Sequence, residues 1–197
     1  MACEEPDWRK SGCRYFLPLV RNRPNYPNLN EVVAGDGCSK FYSQYGTSGL
    51  TGGILIMCCP HRFFYGFHFF NSYEGRNDVF SVLLTRFQKA PRVVIYDFAC
   101  GLASYCFARE PVFFKDTLFL VDKFHASNHK ACTASSKMSA YLKDRAIGET
   151  NSNVAEHLNS GLRKLNTSIS GMAEDRSISL LDTYICMSNR LELKKLC

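Results

Sequence analysis

Two short apolar runs, each stopped by an acid, constrain this chain more than any other feature. Val93-Val94-Ile95-Tyr96 ends at Asp97, and Leu118-Phe119-Leu120-Val121 ends at Asp122. Such runs read as two buried parallel strands, each delivering a carboxylate at its C-terminal end. Open α/β sheets place ligands at that edge. The first expectation is therefore an α/β fold with Asp97 and Asp122 on the ligand-binding side of a sheet and a divalent-metal site beside them.

The flanking segments extend this reading. Ile54 to Cys59 and Phe63 to Phe70, joined by Pro60-His61-Arg62, read as a β-hairpin. Asn77 or Asp78 can cap a helix that carries Val79, Phe80, Val82, Leu83 and Phe87. Further helices are expected from about Gly101 to Arg109, through most of His125 to Leu142, from about Val154 to Ile169, and from about Arg176 to Leu191. Hairpin, helix, strand, helix, strand, helices is the wiring of a ribonuclease-H-like fold, a mixed sheet flanked by helices. Residues 51–197 are expected to form that domain. Residues 1–50 read as a poorly structured extension, because Arg21 to Asn28, Asp36-Gly37 and Gly46, Gly49 and Gly52 are turn and extended-chain composition.

Composition narrows the class. Hydrophobic residues make up 46% and charged residues 21%, which excludes wholesale disorder. A formal charge of +6 permits nucleic-acid binding without demanding it. There are 10 cysteines, but Met1 to Pro6 is polar and acidic with no apolar stretch behind it. The expectation is a reducing, intracellular compartment, with buried thiols and zinc as the uses of cysteine. No apolar run reaches membrane-spanning length. The oligomeric state stays open, a homo-oligomer included.

The candidate site residues fall into three groups. In nucleases of ribonuclease-H-like architecture, carboxylates from two strands and a late helix hold Mg²⁺ or Mn²⁺, hard ions suited to oxygen ligands. Asp97 reads equally as such a ligand or as a helix cap. For Asp122 the cap is favoured, since His125 crowds the same turn. Asn153-x-x-Glu156 resembles a capping box, which by itself suffices for both residues. The second group is His125-x-x-x-His129-x-x-Cys132, whose spacings put three side chains on one helix face. Imidazole and thiolate suit Zn²⁺, with Cys100 or Cys106 as a fourth ligand; the alternative is a polar helix face with one buried thiol. Cys58-Cys59-Pro60-His61 is a weaker cluster, and His68 reads as packed. The third group, Arg76, Arg163 and Lys164, could contact a nucleic-acid backbone or form solvated faces. No glycine-rich phosphate loop is present, since Gly46-x-x-Gly49 and Gly52-Gly53 lead into a strand.

Several motifs together resemble a known family. They are Glu74-Gly75-Arg76-Asn77-Asp78-Val79-Phe80, Tyr96-Asp97-Phe98-Ala99-Cys100, Arg109-Glu110-Pro111-x-Phe113-Phe114-x-Asp116-Thr117, Asp122-x-Phe124-His125-x-x-x-His129-x-x-Cys132 and Asn151-Ser152-x-x-Ala155-Glu156-x-x-Asn159-Ser160-Gly161. The combination, over roughly residues 50 to 190, is similar to KDZ (Kyakuja–Dileera–Zisupton) transposases and their associated cysteine-cluster proteins. The resemblance implies a ribonuclease-H-like core of the DDE type, nuclear, acting on DNA with divalent metal. By motif position Asp97 would be the second acid and Glu156 the third, and His125, His129 and Cys132 the family's His/Cys element. One departure is plain. The first acid belongs on the first strand, where this chain has Cys58 or Cys59; Asp36 and Asp122 do not fit its usual position. The expectation is thus a domain related to DNA cleavage and strand transfer with an incomplete acidic triad. The other reading is a zinc-stabilised interaction module without catalysis.

Overall fold

Aromatic and β-branched residues favour extended chain, where side chains alternate between faces. Ile54-Leu55-Ile56 and Phe67-His68-Phe69-Phe70 are of that kind. They lie in β1 (Gly53–Cys58) and β2 (Phe64–Phe70), paired antiparallel from Gly53↔Phe70 to Cys58↔Phe64. The structure, a computed structural model, describes residues 13–26, 53–70, 75–130 and 132–195. After the hairpin come α1 (Arg76–Arg86), β3 (Val93–Ile95), α2 (Ala99–Arg109), α3 (Pro111–Phe114), β4 (Leu118–Leu120), α4 (Arg145–Gly148), α5 (Val154–Leu162), α6 (Asn166–Ile169) and α7 (Glu174–Lys194). The class is mixed α/β, as expected. The strands form two two-stranded sheets, β1-β2 and β3-β4. The chain divides into two compact units.

The first unit contains residues 13–19, 53–70 and 154–195. Phe64, Phe67 and Phe69 of β2 share a buried cluster with Val154, Leu158 and Leu162 of α5, Ile169 of α6, and Ile178, Leu181 and Ile185 of α7. The helical spacings of three and four in those residues set one apolar face against the hairpin. Residues 13–19 run along β2: the Phe67 amide donates to the Tyr15 carbonyl at 2.9 Å. The Asp182 carboxylate of α7 then accepts the Arg14 and Tyr15 amides at 2.6 and 2.8 Å. This part of the N-terminal extension is pinned; most of residues 1–50, Asp36 included, lies outside the described residues. The helix expected over Val154–Ile169 is broken by a 3₁₀ turn at Arg163–Leu165. Gly161 weakens the helix there by about 1 kcal/mol, and the following Asn166, Thr167 and Ser168 compete for backbone partners.

The second unit contains residues 20–26, 75–130 and 132–153. Its centre is aromatic. The fully buried Phe80 of α1 lies 5.4 Å from Tyr105, 5.6 Å from Tyr26 and 5.9 Å from Phe114 by ring centroids. Phe114 continues to Phe119 of β4 at 5.8 Å. These contacts fix α1, α2 and α3 against β4. Strand β3 pairs in parallel with β4, Val93↔Leu118 to Ile95↔Leu120. The expectation of two buried strands holds for β4 alone: Val93 is 39% exposed, and among the described strands β3 has β4 as its one neighbour.

Two local expectations are corrected. Helix α1 starts at Arg76 with Gly75 as its N-cap. Asn77 does not cap it, since its side-chain oxygen accepts the Tyr105 hydroxyl at 2.9 Å. The helix expected over His125–Leu142 is absent, replaced by 3₁₀ turns at His125–Ser127, Ala134–Ser136 and Met138–Tyr141. An 18-residue helix would carry the chain roughly 27 Å away. Here the chain returns to β4 instead: Val121 bridges Lys137, with amide bonds Val121 to Ser136 (2.7 Å) and Met138 to Val121 (3.1 Å). Leu120, Met138 and Ile147 bury together and hold that return. Thr133 and Ser136 turn the chain by bonding locally, Ser136 Oγ to the Thr133 carbonyl at 2.8 Å.

Candidate metal centre

The parallel register places two acids at one edge. Asp97 and Asp122 each lie two residues beyond the paired Ile95 and Leu120. Asp122 is buried, and its carboxylate is taken up by its own turn. Oδ1 accepts the Phe124 and His125 amides at 2.8 and 2.9 Å, and Oδ2 meets His125 Nδ1 at 2.7 Å. Asp97 is half-buried, and its Oδ1 accepts the Phe98 amide at 2.7 Å just before α2 begins.

That same start of α2 carries Cys100. The loop after β4 folds back to meet it with His129 and Cys132. His129 Nδ1 lies 3.3 Å from Cys100 Sγ and 3.5 Å from Cys132 Sγ. All three ligand atoms lie within 4.8 Å of one another. Around a tetrahedral zinc, with Zn–S near 2.3 Å and Zn–N near 2.0–2.1 Å, neighbouring ligand atoms stand roughly 3.5–3.8 Å apart. The donor set and its spacing therefore fit a soft divalent ion, with a fourth position left for water or a further ligand. Burial holds the His129 ring below its ordinary pKa, partly offset by the Asp97 charge and a bond to the Asp97 backbone. The imidazole is thus neutral near pH 7, the form that binds metal, and the Asp97 backbone helps orient it.

The other sequence candidates sit elsewhere. His125 stands outside the three-residue group, drawn to Asp122. Cys106 also stands outside it: six residues along α2 from Cys100 is about 240° around the helix, and Cys106 is fully buried. Arg76 is half-buried with its guanidinium 5.8 Å from both the Phe98 and Tyr105 rings. Glu156 is exposed in the first turn of α5, and Arg163 and Lys164 are exposed on the 3₁₀ turn that follows that helix. Strand β1, Gly-Ile-Leu-Ile-Met-Cys, carries no carboxylate; Cys58 ends it, packed with Ile54 and Ile56 against the hairpin–helix core.

The structure also shows a feature the sequence reading passed over. Within the first unit, Glu156, Asn159, Arg163, Asn166 and Ser170 line one groove of about 420 Å³, facing Gly53 and Ile54. Their spacings of three, four, three and four are a helical pattern in the sequence, which was available as a signal although a 3₁₀ turn interrupts the helix.

Two thiols outside the metal group give a pH signature. Burial pushes Cys58 up to about 11 and Cys106 up to about 12, from an ordinary value of 9.0. Unfolded thiols ionise near 9 while these stay protonated, so above that pH the folded state binds more protons. Their contribution is complete below pH 9 and is lost as pH rises through 11 to 12. The melting temperature should fall across that window, and less steeply in Cys106→Ala. A variant with the parental slope would show that Cys106 does not titrate this way.

No helix among the described residues is long and apolar enough to cross a membrane. No curated protein and no solved structure matches the chain. A family model does: that of the Kyakuja-Dileera-Zisupton transposase, over residues 46–189. This match covers well over half of the sequence and spans β1 through most of α7, including Asp97, the Cys100–His129–Cys132 group and Glu156. The chain belongs to the KDZ transposase family.

Proposed function

We propose that residues 51–197 are a transposase-derived, ribonuclease-H-like domain of the DDE type that binds DNA in the nucleus and has an incomplete acidic set. The observation that carries this reading is the family match over residues 46–189 on a chain whose β1 has no carboxylate. Asp97, after β3, would be the second acid, and Glu156, in α5, the third. A complete acidic set of the DDE type would hold Mg²⁺ or Mn²⁺, which supplies charge stabilisation at a scissile phosphate. Without the first-strand acid a metal ion loses a ligand, so DNA binding is the activity expected to persist. Arg163 and Lys164 are exposed and free to meet phosphate oxygens by charge. Cys100, His129 and Cys132 would hold structural zinc, which contributes folding free energy to the second unit.

Fluorescence anisotropy with a labelled duplex tests the reading. Affinity should fall steeply between about 50 and 200 mM salt, and Arg163→Ala with Lys164→Ala should lower the log–log slope by about 0.9 per lost contact. A flat salt response would reject DNA binding through charge. Incubation with Mn²⁺ should leave DNA uncut. Cleavage that vanishes in Asp97→Asn would overturn the incomplete-triad reading in favour of an active enzyme.

A further inference from the structure

The zinc group does not use the polar groove of the first unit, which joins Glu156 and Arg163 of the reading above to Asn159, Asn166 and Ser170, which that reading leaves unassigned. Its volume of about 420 Å³ falls in the range of small-ligand sites, roughly 300–1,000 Å³. Leu162 and Ile169 are buried beneath it and Ile54 is half-buried beside it. Glu156, Asn159, Arg163 and Asn166 line it, and among the described residues none of these four side chains has a hydrogen-bond or ion-pair partner. The facing wall begins at Gly53, whose φ of 127° suits glycine and leaves bare backbone there.

We infer that this groove binds a nucleotide of single-stranded DNA, a reading that rests on the DNA-binding function proposed above. Asn159 and Asn166 each offer an amide donor and acceptor, the pairing that reads a base edge. Arg163 lies between them in sequence and supplies a cation for the phosphate. Ile54, Leu162 and Ile169 supply apolar surface for a sugar or base. A recess of this volume is too small to admit a duplex, whose bases are already paired; an unpaired nucleotide fits. Glu156 comes first in this series, so the nucleotide would lie beside the proposed third acid.

The test compares a labelled single-stranded oligonucleotide with its duplex, using anisotropy on the full chain. The double variant Asn159→Ala/Asn166→Ala should weaken single-strand binding about tenfold or more and leave duplex affinity unchanged. Arg163→Ala should reduce the single-strand salt slope by about 0.7. Parental melting curves in the variants separate these effects from misfolding. An oligonucleotide carrying a photoactivated diazirine, whose carbene inserts into C–H, N–H and O–H bonds and needs no aromatic partner, should crosslink to residues 156–170, which checks the same site without mutation. Unchanged single-strand affinity in the double variant, or crosslinks confined to other peptides, would overturn the groove while leaving duplex binding intact. Failure of the parent to bind either DNA would overturn the DNA reading itself. Competition by a free deoxynucleoside monophosphate at concentrations below those of the strand would identify the mononucleotide, rather than DNA, as the ligand.

Discussion

Removing metal from the Cys100–His129–Cys132 group is expected to release the loop between Val121 and Met138 and lower the stability of the second unit. Structural zinc in small domains contributes an apparent 10–16 kcal/mol near pH 7. Here the loop also rests on Leu120, Met138 and Ile147, so its loss should not unfold everything at once. Free zinc a thousandfold above its dissociation constant stabilises by about 4.1 kcal/mol, enough to move a melting midpoint by many degrees. Treatment with a chelator should therefore lower the midpoint and raise hydrogen exchange over residues 121–138. Zinc should restore both, and Mg²⁺ should not, because thiolate and imidazole are poor partners for a hard ion. Cys132→Ser should copy the chelated state, whereas Cys186→Ser on α7, outside the group, should not. Identical melting and exchange with and without chelator would remove zinc from the account of this fold.

The metal group also shows how far local pattern carries. Strands β3 and β4, their parallel pairing and helix α2 were legible because each is a short run with its own stop signal. The His125-x-x-x-His129-x-x-Cys132 spacing pointed to metal chemistry but implied a helical face. In the structure His129 and Cys132 meet Cys100 through a non-helical loop, while His125 bonds Asp122. What decides this is nonlocal: Val121 and Met138 pair, closing a loop that a helix could not close. Spacing alone cannot report that return. The groove is the converse case. Its five polar residues were readable as a 3-4-3-4 pattern, but they became a recess only when β1, about a hundred residues earlier, supplied the facing wall. That β1 carries no carboxylate was visible throughout, since it is a matter of residue identity.

Phe80→Ala should produce the largest single-residue loss in the second unit. Truncating a fully buried phenylalanine costs about 3–5 kcal/mol, from lost burial plus the cavity left behind. Against a typical total of 5–15 kcal/mol that is a large share. The cost should sit at the upper end, because Phe80 touches Tyr26, Tyr105 and Phe114 at once and no one neighbour can fill the space. Tyr105 lies on α2, the helix whose first turn presents Cys100. Loosening Tyr105 should therefore let Cys100 drift from His129 and Cys132 and lower zinc affinity. Urea unfolding followed through the second unit, with zinc competition against a chromogenic chelator, reads both effects. Phe80→Leu, which keeps most of the volume, should retain the fold and show a smaller drop in each. Val112→Ala, at a side chain 79% exposed, should stay within about 0.5 kcal/mol of the parent. If Phe80→Leu loses stability but keeps full zinc affinity, the aromatic cluster holds the fold without positioning the metal group. A parallel fall in both would tie the centre to the core beneath it.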